Sequence, residues 1–433
     1  MENGRRLSPR FWCTVLVLGL SGQLAWTIEN MYLNVYLYNM VSASADAIAL
    51  MVAASGVVAT LTTLLMGALS DRLGRRRAFV VTGYLLWGAS TAAFGFVSLD
   101  SVRTLFPTAN AVLLTTVSII LLDCIMTFFG SSANDAAFNS YVTESTDKSN
   151  RGRVETVLVT LPLISMLIIF GFFDGMTKAG NWKAFFLIFG IAVILVGILA
   201  FFLMPKEKPA PRCEPYFKNI FYGFRPSVIK ENGGLYIALL AFCLFNVSVQ
   251  VFFPYLIIYI QTYLKLEGYA LILGVVLIVS SLLSVLSGRW MDRIGKLRFT
   301  LPATLVMFIG LLLMFFVRRT LPVILAGIVM MGGYMFVNAA LSGIIRDKTP
   351  ADRVGLFQGI RMIFQVLLPM VIGPSIGSLI IRYSKSGTYE ELGVVKQVPI
   401  PFIFIGAALV LLLSLIPTLI LARREKTEKS DKS

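Results

Sequence analysis

The chain has 433 residues, 57% of them apolar and 14% charged, with a formal charge of +15 and a mean hydropathy of +0.80. A soluble domain averages about 45–50% apolar and about 25% charged residues, so this balance excludes a disordered chain, a coiled coil and an ordinary soluble enzyme. There is no histidine, and Cys13, Cys124, Cys213 and Cys243 are scattered, which removes histidine-based catalysis, a disulfide framework and a CxxC zinc site.

Crossing a bilayer takes roughly 20 apolar residues in helical form. Twelve runs meet that length: 11–39, 47–69, 78–98, 112–141, 154–177, 184–204, 235–261, 269–287, 299–317, 321–345, 354–381 and 399–422. Arg5, Arg6 and Arg10 precede the first run in the manner of a signal peptide. The run is too long for one and no small-residue cleavage site follows, so it reads as a retained helix. With the N-terminus inside, the inner segments hold 28 Lys and Arg and the outer segments nine. That asymmetry predicts both termini in the cytoplasm. It makes the basic excess a topology signal and not a nucleic-acid footprint.

The segment 205–233 carries Pro205, Pro209, Pro211, Pro215 and Pro226. Within it Phe217, Ile220, Phe221 and Phe224 recur at helical spacing beside Lys218 and Arg225. This predicts either a short helix on the inner membrane surface or a loop with accidental periodicity. The charged tail 423–433 is expected to be disordered.

The chain repeats itself. At a shift of 221 residues Gly67, Asp71, Arg72 and Gly74 fall on Gly288, Asp292, Arg293 and Gly295. At a shift of 203, Asp135-Ala-Ala falls on Asn338-Ala-Ala and Gly152 on Gly355. The expected organisation is a six-helix half at 1–204, a linker at 205–233, a second six-helix half at 234–422 and a tail at 423–433. Six is even, so the halves are parallel pseudo-repeats, a build in which a transport site lies between them.

Gly67-Ala-Leu-Ser-Asp71-Arg72-Leu-Gly74-Arg75-Arg76-Arg77 resembles the signature loop between helices 2 and 3 of the major facilitator superfamily, and Gly288-Arg-Trp-Met-Asp292-Arg293-Ile-Gly295-Lys296 resembles its second-half copy. The resemblance covers nearly the whole chain and implies the major facilitator fold: an all-α integral membrane protein of twelve transmembrane helices. Tyr141-Val-Thr-Glu144 with Arg151-Gly152 is similar to the loop after helix 4 of sugar porters, without their proline between Glu144 and Arg151. Trp26-Thr-Ile-Glu29-Asn30 and an acidic helix 4 resemble cation-coupled sugar symporters of the melibiose-carrier type. Helix 5 lacks the Gly-Pro-x-x-Gly-Gly motif of drug antiporters, although Gly373-Pro374-Ser-Ile-Gly377 in helix 11 is close to it.

A charged side chain inside a membrane costs about 2.5–3.5 kcal/mol on insertion scales and usually faces a wet cavity. The spans hold few: Glu29, Asp123, Asp135, Glu155, Asp174 and Arg361. Glu29 falls in the outer half and Asp135 well below the inner surface. Asp123 and Asp174 read as water-exposed outer helix ends, and Glu155 as part of the loop's charge cluster. In the repeat Glu29 falls on Gln250, Asp135 on Asn338 and Glu155 on Gln358, so only the first half has the acids. Glu29 and Asp135 are therefore the candidate ion-coupling residues. Burial disfavours a carboxylate's charged form, which suits a proton carrier, while two carboxylates with amide oxygens equally suit a sodium ion. Structural hydrogen bonding is the rival role.

Candidate substrate contacts are Trp26, Asn30, Asn34, Asn139, Asn246, Gln250, Asn338, Arg361 and Gln365. Amides with aromatic rings are how a site fixes a neutral, hydroxyl-rich solute; inter-helix bonding is the plainer role for any one amide. Arg361 needs an anion: Asp135, Glu29 or a charged substrate. Candidate gate residues are Asp71, Arg72 and Arg75 with Glu144 and Arg151, and Asp292, Arg293 and Lys296 with Arg353. Asp135 has a second place in that gate, through Arg75 or Arg76.

These residues predict a secondary active transporter with alternating access, coupling H+ or Na+ to a small polar, sugar-like solute. Proton-driven efflux of an amphipathic compound is the alternative. An enzyme lacks a nucleophile–base pair, and the paired gate motifs argue against a channel. A monomer in the plasma membrane is expected, in contact with lipid and its small-molecule substrate, without nucleic acid, resident metal or cofactor.

Overall fold

A computed structural model describes residues 7–42, 44–146, 151–205, 222–266, 268–350, 357–384, 388–391 and 394–430. Among them, twelve helices are long and apolar enough to cross a membrane. In chain order they are α1 (Pro9–Met40), α2 (Ala45–Gly67), α3 (Arg76–Phe96), α4 (Ala111–Ser145), α5 (Thr160–Lys178) and α6 (Trp182–Leu203). The second set is α7 (Gly233–Tyr263), α8 (Tyr269–Gly288), α9 (Lys296–Phe316), α10 (Thr320–Lys348), α11 (Gly359–Tyr383) and α12 (Phe402–Arg424). The expected twelve-helix membrane architecture is therefore present.

Local chemistry sets the helix ends. Ser8 caps α1 by accepting from the Phe11 amide at 3.2 Å, with Pro9 at the first helical position. Asn110 caps α4 the same way at Leu113, 3.1 Å. The turns into α3 and α9 run through Gly74 and Gly295, at φ of 60° and 91°, a conformation that a Cβ disfavours.

The chain packs as two compact units. One comprises Met1–Ser42 with Val57–Tyr216, the other Ala43–Gly56 with Phe217–Ser433. In the first, α3 lies along α6 where Gly88 meets Gly190; a Cβ on Gly88 would fall 2.5 Å from the Gly190 carbonyl oxygen. Three arginines tie one end of this unit together. Arg10 donates to the Leu203 carbonyl at 2.7 Å, Arg77 to that of Phe201, and Arg76 pairs with Glu144 at 2.7 Å. This end is called the basic end below.

In the second unit, the Tyr255 hydroxyl lies 3.1 Å from the Ala45 carbonyl and 2.9 Å from that of Pro374. Asp46 accepts from Ser378 and lies 3.7 Å from Arg382. These contacts explain why the start of α2 packs with the second unit.

Five spans contain a π-helical stretch: Ile28–Leu33 in α1, Ser131–Phe138 in α4, Ile169–Phe173 in α5, Tyr259–Tyr263 in α7 and Ile363–Leu367 in α11. Such local widenings occur often at functional sites, and two of them carry Glu29 and Asp135.

Two features depart from the sequence reading. An antiparallel hairpin, β1 (Thr388–Glu391) with β2 (Val394–Gln397), interrupts the all-α pattern between α11 and α12. The tail expected to be disordered continues as helix to Ser430, in keeping with its Arg, Glu and Lys, all good helix formers. Residues 206–221, which hold most of the proposed linker helix, lie outside the described residues. The rest of that linker forms a short 3-10 turn at Tyr222–Phe224 and a helix at Pro226–Glu231.

Candidate functional site

The first unit carries a buried acidic site on α1 and α4. Glu29 is 5% exposed. Its Oε1 accepts from the Thr127 hydroxyl at 2.9 Å, and its Oε2 is buried with no hydrogen-bond partner. An unsatisfied buried oxygen of a charged group is costly, so such an atom calls for a reason. One turn before Thr127 on the same helix face is Asp123, 1% exposed and within electrostatic reach of Glu29.

The face continues. Ser131 donates to Asp135 Oδ2 at 3.0 Å, and Asn139 donates to the Asp135 carbonyl at 3.2 Å. Asp123, Thr127, Ser131, Asp135, Asn139 and Thr143 thus recur every fourth residue, one polar stripe along α4. Thr127 and Ser131 are fully buried, Asp135 is half-buried, and Asn139 and Thr143 are exposed. The stripe therefore grows wetter toward the basic end, where Glu144 lies about 13 Å from Asp135 at 1.5 Å per residue.

An aromatic wall stands beside it. The Tyr84 hydroxyl lies 2.7 Å from the Leu18 carbonyl and 3.2 Å from Asn134 Oδ1. Trp87 packs between Tyr84 and Trp26, with ring centroids 5.5 and 5.0 Å away.

The structure brings Glu29, Asp135 and Trp26 into this unit's interior. It also corrects two readings. Asp123 is not a water-exposed helix end: α4 begins at Ala111, which puts Asp123 about 18 Å along the helix. Asp174, read the same way, is 5% exposed, pairs with Lys178 at 2.8 Å and faces the Tyr32 hydroxyl at 3.4 Å. Asn30 and Asn34 spend their amide donors on the helix backbone, at Trp26 and Asn30, and Asn34 is fully buried. Asp123 was placed at a helix end and Thr127 was missed, although the fourfold spacing in α4 groups both with Asp135.

In the second unit, Asn246 and Gln250 on α7, Asn338 on α10 and Gln365 on α11 are all half-buried. Among the described residues none of the four makes a side-chain hydrogen bond, so their amides are unspent. Gly373 packs against Gln250, where a Cβ would strike it. Arg361 lies only two residues inside its span. Its Nε is buried without a partner, and the charge nearest in effect is Arg346, of the same sign.

At the helix ends, Glu144 pairs with Arg76 and not with Arg75, because α3 begins at Arg76. In the second unit Lys296 pairs with Asp347 at 2.6 Å. Asp347 falls on Glu144 at the shift of 203, a match the sequence reading passed over. Arg72, Arg75 and Arg293 are exposed. The side chains of Asp71, Arg151, Glu155, Asp292 and Gln358, and all of Arg353, lie outside the described residues.

Comparison with known proteins bears on the whole chain. The sequence model of the Major Facilitator Superfamily matches residues 11–365 and 266–433. No curated protein matches. Among solved structures, a mutant of the nucleoside transporter NupG aligns at a TM-score of 0.71 and 12% identity, covering 94% of this chain and 99% of its own. A bacterial homologue of the human lysosomal transporter Spinster, inward-facing and unoccupied, aligns at 0.69 and 12%, covering 96% and 98%. The xylose transporter XylE from E. coli, partially occluded and inward-open, aligns at 0.66 and 13%, covering 96% and 98%.

Proposed function

For a chain that belongs to the major facilitator superfamily, and so is a multi-pass membrane transporter and not an enzyme, we propose cation-coupled transport of a small polar, sugar-like solute by alternating access. The observation that carries the coupling is Glu29: a carboxylate buried in a membrane span, with one oxygen held by Thr127 and the other unsatisfied. Such a group fits a cation that comes and goes. Asp135, on the wetter part of the α4 stripe, is the second coupling residue.

The unspent amides of Asn246, Gln250, Asn338 and Gln365 support a hydroxyl-rich solute, with Trp26 as the ring partner and Asn30, Asn34, Asn139 and Arg361 as secondary contacts. Nucleoside and xylose transporters among the similar folds fit this class. The Gly373-Pro374 motif that favours efflux of amphipathic compounds is accounted for by packing, since Gly373 abuts Gln250 and Pro374 accepts from Tyr255.

The Arg76–Glu144 and Lys296–Asp347 pairs belong to the gate, with the halves at 1–204 and 234–422 moving about the linker 205–233. The Lys and Arg asymmetry supports a cytoplasmic position for the basic end and both termini, in a protein proposed to act as a monomer in the plasma membrane.

The test has two steps. A thermal-shift screen of purified protein against sugars, nucleosides and amphipathic drugs identifies the solute. Proteoliposomes with an imposed proton or sodium gradient then measure uphill uptake of it. Stabilisation by amphipathic drugs alone overturns the solute class, and equal uptake with and without a gradient overturns the coupling.

A further inference from the structure

Resting on the cation coupling proposed above, we infer that Trp87 is a positioning residue for Glu29: its indole N–H takes up the carboxylate oxygen that the coupling cation leaves. The cation and the indole then compete for one atom, and that competition sets how tightly the cation is held.

Two unsatisfied atoms of opposite kind lie in the first unit. Glu29 Oε2 is a buried acceptor with no donor. Trp87 Nε1, on a side chain 0% exposed, is a buried donor with no acceptor. An indole nitrogen can only donate, and a buried polar group left alone is costly. Each atom lacks what the other offers.

Packing brings both atoms to one seam, where α1 and α4 meet in successive rungs. A Cβ on Gly22 would fall 2.7 Å from Asn134 Oδ1, and one on Gly130 would fall 3.1 Å from Trp26 Cη2. The next rung is Glu29 on Thr127, 2.9 Å apart. Trp87 belongs to the Gly130 rung: the same Cβ would fall 2.7 Å from its Cε2, the carbon that carries Nε1. Gly130 is three residues from Thr127, and Trp26 is three from Glu29. The two rungs are therefore about 4.5 Å apart at 1.5 Å per residue, a step that a change of Glu29 rotamer covers.

The repeat separates this role from packing. At the shift of 221 Trp87 falls on Phe308 and Glu29 on Gln250, and at the shift of 203 Gly130 falls on Gly333. Gly333 packs on Met307, the chain neighbour of Phe308. The close helix contact thus recurs in the second half, where an amide replaces the acid and the ring at the place of Trp87 has no N–H. The donor accompanies the carboxylate.

With the cation on Oε2 the indole N–H is idle. When the cation leaves, the carboxylate regains one negative charge, and a buried charge needs donors. Thr127 supplies one on Oε1, and Trp87 supplies the second on Oε2. The other titratable groups acting on this region are Asp123 and Cys124 on α4, Asp135 further along it, and Asp174 on α5, which pairs with Lys178 and faces Tyr32. All of them are unchanged by a substitution at Trp87.

Trp87→Phe keeps a ring, removes the N–H and copies Phe308, so it should fold. Magnetic resonance of the full-length protein in detergent, with nitrogen-15 indoles, gives one N–H signal per tryptophan; the chain has five, and the signal missing in Trp87→Phe is that of Trp87. Protons and sodium are titrated separately, without solute. The Trp87 signal should lie downfield when the coupling cation is absent, move upfield as it binds, and stay in place in Glu29→Gln. In proteoliposomes Trp87→Phe should reach half-maximal uphill uptake at a cation concentration at least about tenfold below that of the wild type, the effect of losing one hydrogen bond to a charged group. A Trp87 signal indifferent to both cations, or moving as far in Glu29→Gln, overturns the inference. So does a wild-type half-maximal concentration in Trp87→Phe, the result of a purely structural ring. Uptake indifferent to both gradients overturns the coupling itself, a separate result, because the indole signal is read without solute or gradient.

Discussion

Helices α4 and α10 hold the same place in the two halves of the repeat and carry opposite chemistry in their interiors. At the shift of 203, Asp123, Thr127, Ser131 and Asp135 fall on Ala326, Met330, Tyr334 and Asn338. Ala326 and Met330 are each 2% exposed, and Tyr334 stacks on Phe245 with centroids 5.7 Å apart. The same positions that bury acids in one unit fill apolar core in the other, so packing alone does not demand the acids. The ends of the two helices agree instead: Glu144 falls on Asp347, and each holds the basic residue that starts the preceding span of its unit. A duty both halves share is written at the ends, and a duty of the first half alone is written inside.

The sharpest way to break the comparison is to make the first half resemble the second. Glu29→Gln reproduces Gln250, and Asp135→Asn reproduces Asn338. Each is expected to fold and to lose accumulation against a gradient completely, while solute exchange continues, because the solute site and the two conformations persist without the driving ion. Uphill uptake in proteoliposomes checks this; full accumulation by both variants would return the two acids to structural hydrogen bonding.

The converse change is Ala326→Asp, which writes the acid of the first half into the second. Nothing around Ala326 is arranged for it, so it should destabilise the protein by about 2.5–3.5 kcal/mol, the cost of an acid at mid-membrane. Thermal unfolding in detergent measures the loss, and a coupling gain in uphill uptake would contradict the one-sided reading. A smaller effect is expected from Thr127→Val. It deletes one hydrogen bond to a charged group, about 1.5–3 kcal/mol, and should shift the pH profile of uptake. Met330→Thr, its counterpart in α10, should leave that profile in place.

Much of this contrast was legible before any coordinates. The twelve apolar runs follow from hydropathy and length, because lipid allows few other backbones. Glu29 and Asp135 stand out because acids are rare in such runs and their repeat partners are amides. Asp123 was misread although the run 112–141 already sets it eleven residues inside, about 17 Å at 1.5 Å per residue; that it is 1% exposed depends on packing, which spacing does not show. Thr127 carries no charge, so nothing marked it until its hydroxyl met Glu29 across two helices. Arg76 was passed over for Arg75 because the ungapped repeat aligns Arg75 with Lys296, whereas the helices begin at Arg76 and Lys296. Residue spacing shows periodicity well, but it does not show which neighbour a helix start selects.

The smallest effects belong to the two end pairs, and they should differ from each other. The Arg76 side chain is 8% exposed and Glu144 46%, whereas Lys296 is 33% exposed and Asp347 59%. An exposed pair is worth about 0–1 kcal/mol, since water screens it and both side chains lose freedom. Lys296→Gln should therefore change stability little. Glu144→Gln leaves the buried Arg76 guanidinium with a weaker partner, so it should cost more than Lys296→Gln does. The argument turns on which member is buried and not on distance, because the two pairs are almost equally short at 2.7 and 2.6 Å. Thermal unfolding of Glu144→Gln, Arg76→Gln, Lys296→Gln and Asp347→Asn in matched detergent ranks them. Equal shifts across the four would mean that burial of Arg76 does not matter, and that the ends of the two units are alike in energy as well as in pattern.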